Sequence, residues 1–115
     1  MMRTAILLAG LLVLAGGCST PTVYYWGHYE NLIYASYAAP GKIPPEMQVE
    51  QLEADYQKAR SANKPVPPGF HAYLGYLYSE LGKMDQARQE FETEKALFPE
   101  SAVFMDRLLA NLKKS

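Results

Sequence analysis

The stretch HAYLGYLYSELGKMDQARQEFETEKALFP, residues 71–99, decides how this chain folds. Apolar side chains recur at helical spacing on both sides of Gly82: Leu74, Leu77, Tyr78 and Leu81 before it, Ala87, Phe91 and Phe98 after it. Steps of three and four residues put side chains on one face of a helix, whereas a strand needs alternation. Gly82 stands where the chain must reverse, and Pro99 cannot lie in a helix interior. The spacing predicts two helices, over 70–81 and 85–98, folded on each other.

The same residues resemble one tetratricopeptide repeat, whose pattern is W-x2-L-G-x2-Y…A-x3-F…P. His71 takes the first place, followed by Leu74 and Gly75, then Tyr78, Ala87, Phe91 and Pro99, with Gly82 at the inter-helix turn. The resemblance implies a task for each. Gly75 lets the partner helix approach, Leu74, Tyr78 and Phe91 fill the space between, Ala87 keeps the crossing tight, and Pro99 ends one helix and begins the next. Two residues depart from the pattern: His71 stands where Trp is preferred, and Glu94 where a small residue is usual.

Working outward, Pro and Gly divide the rest into further helical segments. The segment 46–62 places Val49, Leu52, Tyr56 and Ala59 on one side, with Pro45 suited to its first turn. The segment 25–38 brings Tyr25, Tyr29, Ile33 and Tyr37 to one face, and 102–113 aligns Phe104, Leu108 and Leu112. Lys113 and Lys114 suit a helix C-terminus. Residues 63–69, NKPVPPG, read as a stiff connector. The expected fold is all-α: antiparallel helix hairpins of tetratricopeptide-like type with a C-terminal capping helix. The domain spans 24–115, with 71–99 as its best repeat match. Fewer than three repeats leave one face apolar, which suits a protein partner or self-association.

Tyr24, Tyr25, Trp26, Tyr29, Tyr34 and Tyr37 crowd into the fourteen residues 24–37. They admit three readings: packing core, a cluster resting at lipid headgroups, or a docking surface for a partner. The first four are the candidate interface.

The second reading gains weight from residues 1–17. Arg3 is followed by the uncharged run AILLAGLLVLA, then Gly16, Gly17 and Cys18, the chain's one cysteine. A cationic start, a short apolar run and small residues before the cut make a secretory signal. LAGGC (residues 14–18) resembles the lipobox of bacterial lipoproteins, with Leu14 one place further back than usual. The resemblance implies cleavage before Cys18, a diacylglyceryl thioether on its sulfur and an acylated amine. It also implies a tether over 18–23. The alternatives are an ordinary cleaved signal with a free thiol, or an uncleaved anchor. Two or more chains hold firmly where one does not. In Gram-negative lipoproteins Ser19, rather than Asp, after the cysteine implies the outer membrane, facing the periplasm; a Gram-positive source would imply the outer face of the plasma membrane instead. The tether reaches no more than about 18 Å, so the aromatic cluster stays near the lipid.

Composition narrows the function classes. Eleven basic residues against twelve acidic give a net charge of −1, with no basic patch, so nucleic acid is not an expected partner. One cysteine offers no internal disulfide. His28 and His71 stand at no metal-ligand spacing and read as surface or packing residues. Ser36, Ser79 and Ser101 lack a nucleophile elbow, and the carboxylates sit singly on helical faces, as solvated residues do. No catalytic residue, no metal site and no cofactor beyond the covalent lipid is expected.

Three segments, YYWGHYENLIY (24–34), PPGFHAYLGYLY (67–78) and EKALFPES (94–101), together resemble an uncharacterised family of short bacterial lipoproteins. That resemblance implies a small outer-membrane lipoprotein encoded beside a CsgG-like lipoprotein, and hence a shared envelope complex. The expected function is a lipid-anchored adaptor, not an enzyme, that binds envelope proteins. The alternative is a cell-wall-active enzyme or ligand-binding lipoprotein with converging carboxylates or a histidine in a deep pocket.

Overall fold

The structure, a computed structural model, describes residues 23–113. The signal over 1–17, Cys18, the tether up to residue 22 and Lys114 lie outside them. Five α-helices follow in order: α1 (Tyr29–Ala38), α2 (Pro45–Ser61), α3 (Phe70–Glu80), α4 (Met84–Leu97) and α5 (Ala102–Leu112). A 3-10 turn, Pro99–Ser101, precedes α5. No strand occurs among the described residues, so the fold is all-α.

Local chemistry explains the boundaries. Pro45 opens α2, with Glu46 in its first turn and Lys58 and Arg60 in its last, each complementing the helix dipole. Gly82 takes φ +73 after α3. There Lys83 N–H donates to the Tyr78 carbonyl (2.9 Å) and Gly82 N–H to that of Ser79 (3.1 Å). This Schellman pair reverses the chain, and the left-handed glycine permits it. The contacts of α3 and α4 then run antiparallel: Gly69 meets Glu94, His71 meets Glu90, and Gly75 meets the Ala87 carbonyl.

Two apolar clusters hold the helices. Leu32, Leu52, Ala59, Val66, Phe70, Leu74 and Leu77 form the larger one, between α1, α2 and α3. Ala87, Phe91, Met105 and Leu112 form the smaller, between α4 and α5. Tyr78 packs against both. Phe70 is 0% exposed, and burying such a ring is worth about 3 kcal/mol.

Several expectations are corrected. Helix α1 begins at Tyr29, so Tyr25 lies outside it, and its backbone N–H donates to the Pro65 carbonyl (2.8 Å). Leu32 is the buried residue of α1, while Tyr37 is 83% exposed. In α5, Leu108 and Leu112 pack inward as expected, but Met105 is buried in place of Phe104, which is 59% exposed. The connector 63–69 is more than a spacer: Val66 joins the core and Pro67 is fully buried. Not every carboxylate is solvated either. Asp55 and Glu94 are 1% and 2% exposed.

Candidate functional site

The two buried carboxylates organise what surrounds them. Asp55 on α2 accepts the backbone N–H of His28 (2.7 Å), and the His28 Nδ1 lies 3.0 Å from both its oxygens. Gly27, at φ +49, packs so closely that a Cβ there would strike the carboxylate. Asp55 therefore fixes the chain just before α1 and sets where the N-terminal aromatics stand. Tyr24 and Trp26 meet edge to face (6.3 Å), Trp26 stacks on Tyr29 (6.3 Å, 25°), and Tyr29 packs against Phe70 (5.9 Å). Tyr24, Tyr25, Trp26 and Tyr29 are all half-buried.

Glu94 on α4 accepts the Gly69 N–H through Oε1, while its Oε2 is buried with no hydrogen-bond partner. Burial pushes its carboxyl up, and Glu100 and Glu90 add to this, against the Gly69 N–H and His71. His71 is buried too, with Nδ1 2.6 Å from Glu90 Oε2 and its ring edge-on to Tyr56 and Phe70. It is thus a packed ring with one polar tie.

Gly75 faces α4. A Cβ on it would come within 2.6 Å of the Phe91 ring and 3.2 Å of the Ala87 carbonyl. Leu74 and Ala87 are buried beside this contact, Tyr78 is half-buried, and its hydroxyl donates to Glu53 (2.7 Å). Burial raises the Tyr78 phenol, and that bond raises it further. Pro99 starts the 3-10 turn one residue past the α4 cap, Phe98.

On the other side α3 is open. Tyr73 and Tyr76 stack on each other (6.2 Å, 24°) and both line three adjoining hollows. One hollow, of ≈ 350 Å³, lies between α1, α3 and α5 and is walled by Tyr29, Tyr37, Tyr73, Tyr76, Phe104 and Leu108. A second adds Ile33 and Ser36, and a third runs past Pro40, Ile43 and Gln48 to Glu80. Together they make an elongated aromatic groove. The Tyr73 hydroxyl donates to Gln48 Oε1 (2.5 Å) and that of Tyr76 to Glu80 Oε1 (2.5 Å). The phenols of Tyr29 and Tyr73 are raised chiefly by burial, and that of Tyr76 chiefly by its bond to Glu80. A larger hollow, ≈ 550 Å³, lies between α4 and α5, but Arg88, Lys113, Glu92 and Asp106 line it with opposed charges.

A family model described as Domain of unknown function (DUF4810) matches residues 23–108. The chain belongs to this family. Every residue lining the groove falls within the span matched to DUF4810. No curated protein and no solved structure matches the chain. Among the described residues of this DUF4810 chain, no helix is long and apolar enough to cross a membrane, and no group of three metal-ligating side chains converges.

Of the candidate interface residues, only Tyr29 lines the groove, and Trp26 backs it. Sequence reasoning missed Tyr73, Tyr76 and Phe104 as groove residues. Tyr73 and Tyr76 share a three-residue step, but it puts them on a face adjoining that of Leu74 and Leu77, so the period alone did not set them apart from the core.

Proposed function

We propose that this chain is a lipid-anchored, periplasm-facing adaptor of the outer membrane that docks an envelope protein in its aromatic groove. The observation that carries the reading is the groove itself. Large rings on three helices line an elongated, partly exposed surface, and such aromatic surfaces are favoured at protein interfaces. The α3–α4 pair acts as a tetratricopeptide-like unit, with Gly75 as its point of close approach and α5 as the cap. The lipobox-like LAGGC supports the anchor on Cys18. A CsgG-like lipoprotein is the partner that the family resemblance suggests.

The test is in-cell photocrosslinking with the native N-terminus retained. A photoreactive residue at Tyr37, on the groove wall, is expected to capture the CsgG-like lipoprotein. The same residue at Gln57, exposed on α2, is expected not to. Equal capture from both positions, or none from Tyr37, would overturn the docking reading. Cys18→Ser is expected to abolish fatty-acid labelling and release the protein from the membrane; retained labelling refutes the anchor.

A further inference from the structure

The groove is lopsided in charge. Its lining carries a single ionised side chain, Glu80, and no lysine or arginine. Lys42 belongs to the neighbouring loop but is not among the lining residues. A second carboxylate lies behind the floor: Glu94 holds Gly69, a lining residue, through Oε1 and keeps Oε2 buried without a partner. Both acids act on the rings of the groove, Glu94 on Tyr29 and Glu80 on Tyr73 and Tyr76, and in each case hold the phenol proton on.

The rings add to this field. An aromatic face is the negative part of its quadrupole and attracts a cation. Tyr73 and Tyr76 present a stacked pair, while Tyr29 stands across from Tyr73 at 63° with centroids 6.4 Å apart. These touching rings form one continuous aromatic wall, with Glu80 at its end beside Tyr76, open to a positive group.

We propose that the segment docking in this groove presents an arginine or lysine side chain to Tyr73 and Tyr76, with Glu80, which lines the same hollow, as its counter-charge. This rests on the docking reading and names the chemistry of the docked partner. Three hollows sharing Tyr73 and Tyr76 make a track, so the segment lies extended along it. The same acidic bias disfavours an anionic lipid surface as the occupant.

The test uses the full-length chain and a seven-residue peptide alternating serine and valine around a central arginine. Matched peptides carry lysine, citrulline or glutamate at the centre. Citrulline keeps the shape of arginine and removes its charge. Binding is read from the ring signals of Tyr73 and Tyr76 by NMR. The arginine and lysine peptides are expected to shift those signals, with affinity about fivefold weaker for citrulline. Glu80→Gln, an exposed substitution, is expected to weaken the arginine peptide and leave the citrulline peptide unchanged. Equal binding of all four peptides overturns the cation and leaves docking standing. Failure of every peptide to move those signals also overturns it, while the Tyr37 crosslink judges docking separately. Shifts produced instead by phosphatidylglycerol vesicles, or by concentrating the protein alone, assign the groove to lipid or to a second copy and overturn the inference.

Discussion

Helix α3 has a closed side and an open one. Toward α4 it is sealed: Gly75 meets the Phe91 ring with no room for a methyl, and His71 and Gly69 are tied to Glu90 and Glu94. Toward α1 and α5 it offers Tyr73 and Tyr76 to solvent and to the hollows around them. The closed side uses small residues and buried polar ties, so it is intolerant of change. The open side uses large rings whose hydroxyls are tied to Gln48 and Glu80 while part of each ring faces the hollows, so it can exchange water for another chain. Stability and recognition are thus divided between two faces of one helix.

Breaking the closed side is expected to have the largest effect. Gly75→Leu drives four carbons into Phe91 and the Ala87 carbonyl, with an expected loss of about 3 kcal/mol by overpacking. A lowered urea midpoint at constant m-value checks it; a wild-type midpoint means the helices separate at no cost. The open side depends on the segment that Asp55 pins. Asp55→Ala leaves the His28 N–H without its acceptor and is expected to cost about 2 kcal/mol. It should also red-shift Trp26 emission as the stack on Tyr29 loosens.

A third prediction sharpens the contrast between the two buried acids. The folded-state pKa of Glu94 is raised above the ordinary 4.5. The folded protein therefore binds this proton more tightly than the unfolded chain. Its contribution is fully present below pH 4.5 and is lost as pH rises through the raised value. Glu94→Gln is expected to flatten that decline, measured as melting temperature against pH in both proteins. An identical slope would mean that Glu94 ionises as it does in water. The smallest stability effect belongs to the open side. Tyr76→Ala is expected to change stability by less than about 0.5 kcal/mol, yet to abolish the crosslink from Tyr37. A large loss of stability there would show that the groove is core and not surface.

Much of the fold could be read along the chain. The three- and four-residue steps of Val49, Leu52, Tyr56 and Ala59, and the pairing of Gly82 with Pro99, located α2, α3 and α4 within a residue or two. The ends were harder to read. In α1 and α5 apolar residues cover more than one face, so the period alone did not choose between Leu32 and Tyr37, or between Met105 and Phe104. The groove was half legible. The N-terminal aromatics stood out by density, but Tyr73 and Tyr76 were indistinguishable from core rings until the inward face of α3 was known.

What the sequence by itself determined is local: where helices start and stop, which residues turn the chain, and that all elements are helical. These follow from side-chain period, proline and glycine, which act over a few residues. Only the tertiary structure decided that Asp55 and Glu94 are buried, that His28 and His71 find carboxylates, and that rings from α1, α3 and α5 face one hollow. Those pairings join residues as far apart as 27 positions, and no local rule selects a partner over that distance. They arise from how helices cross, which is set by packing volume at points such as Gly75 and by the need of each buried polar group to find its mate.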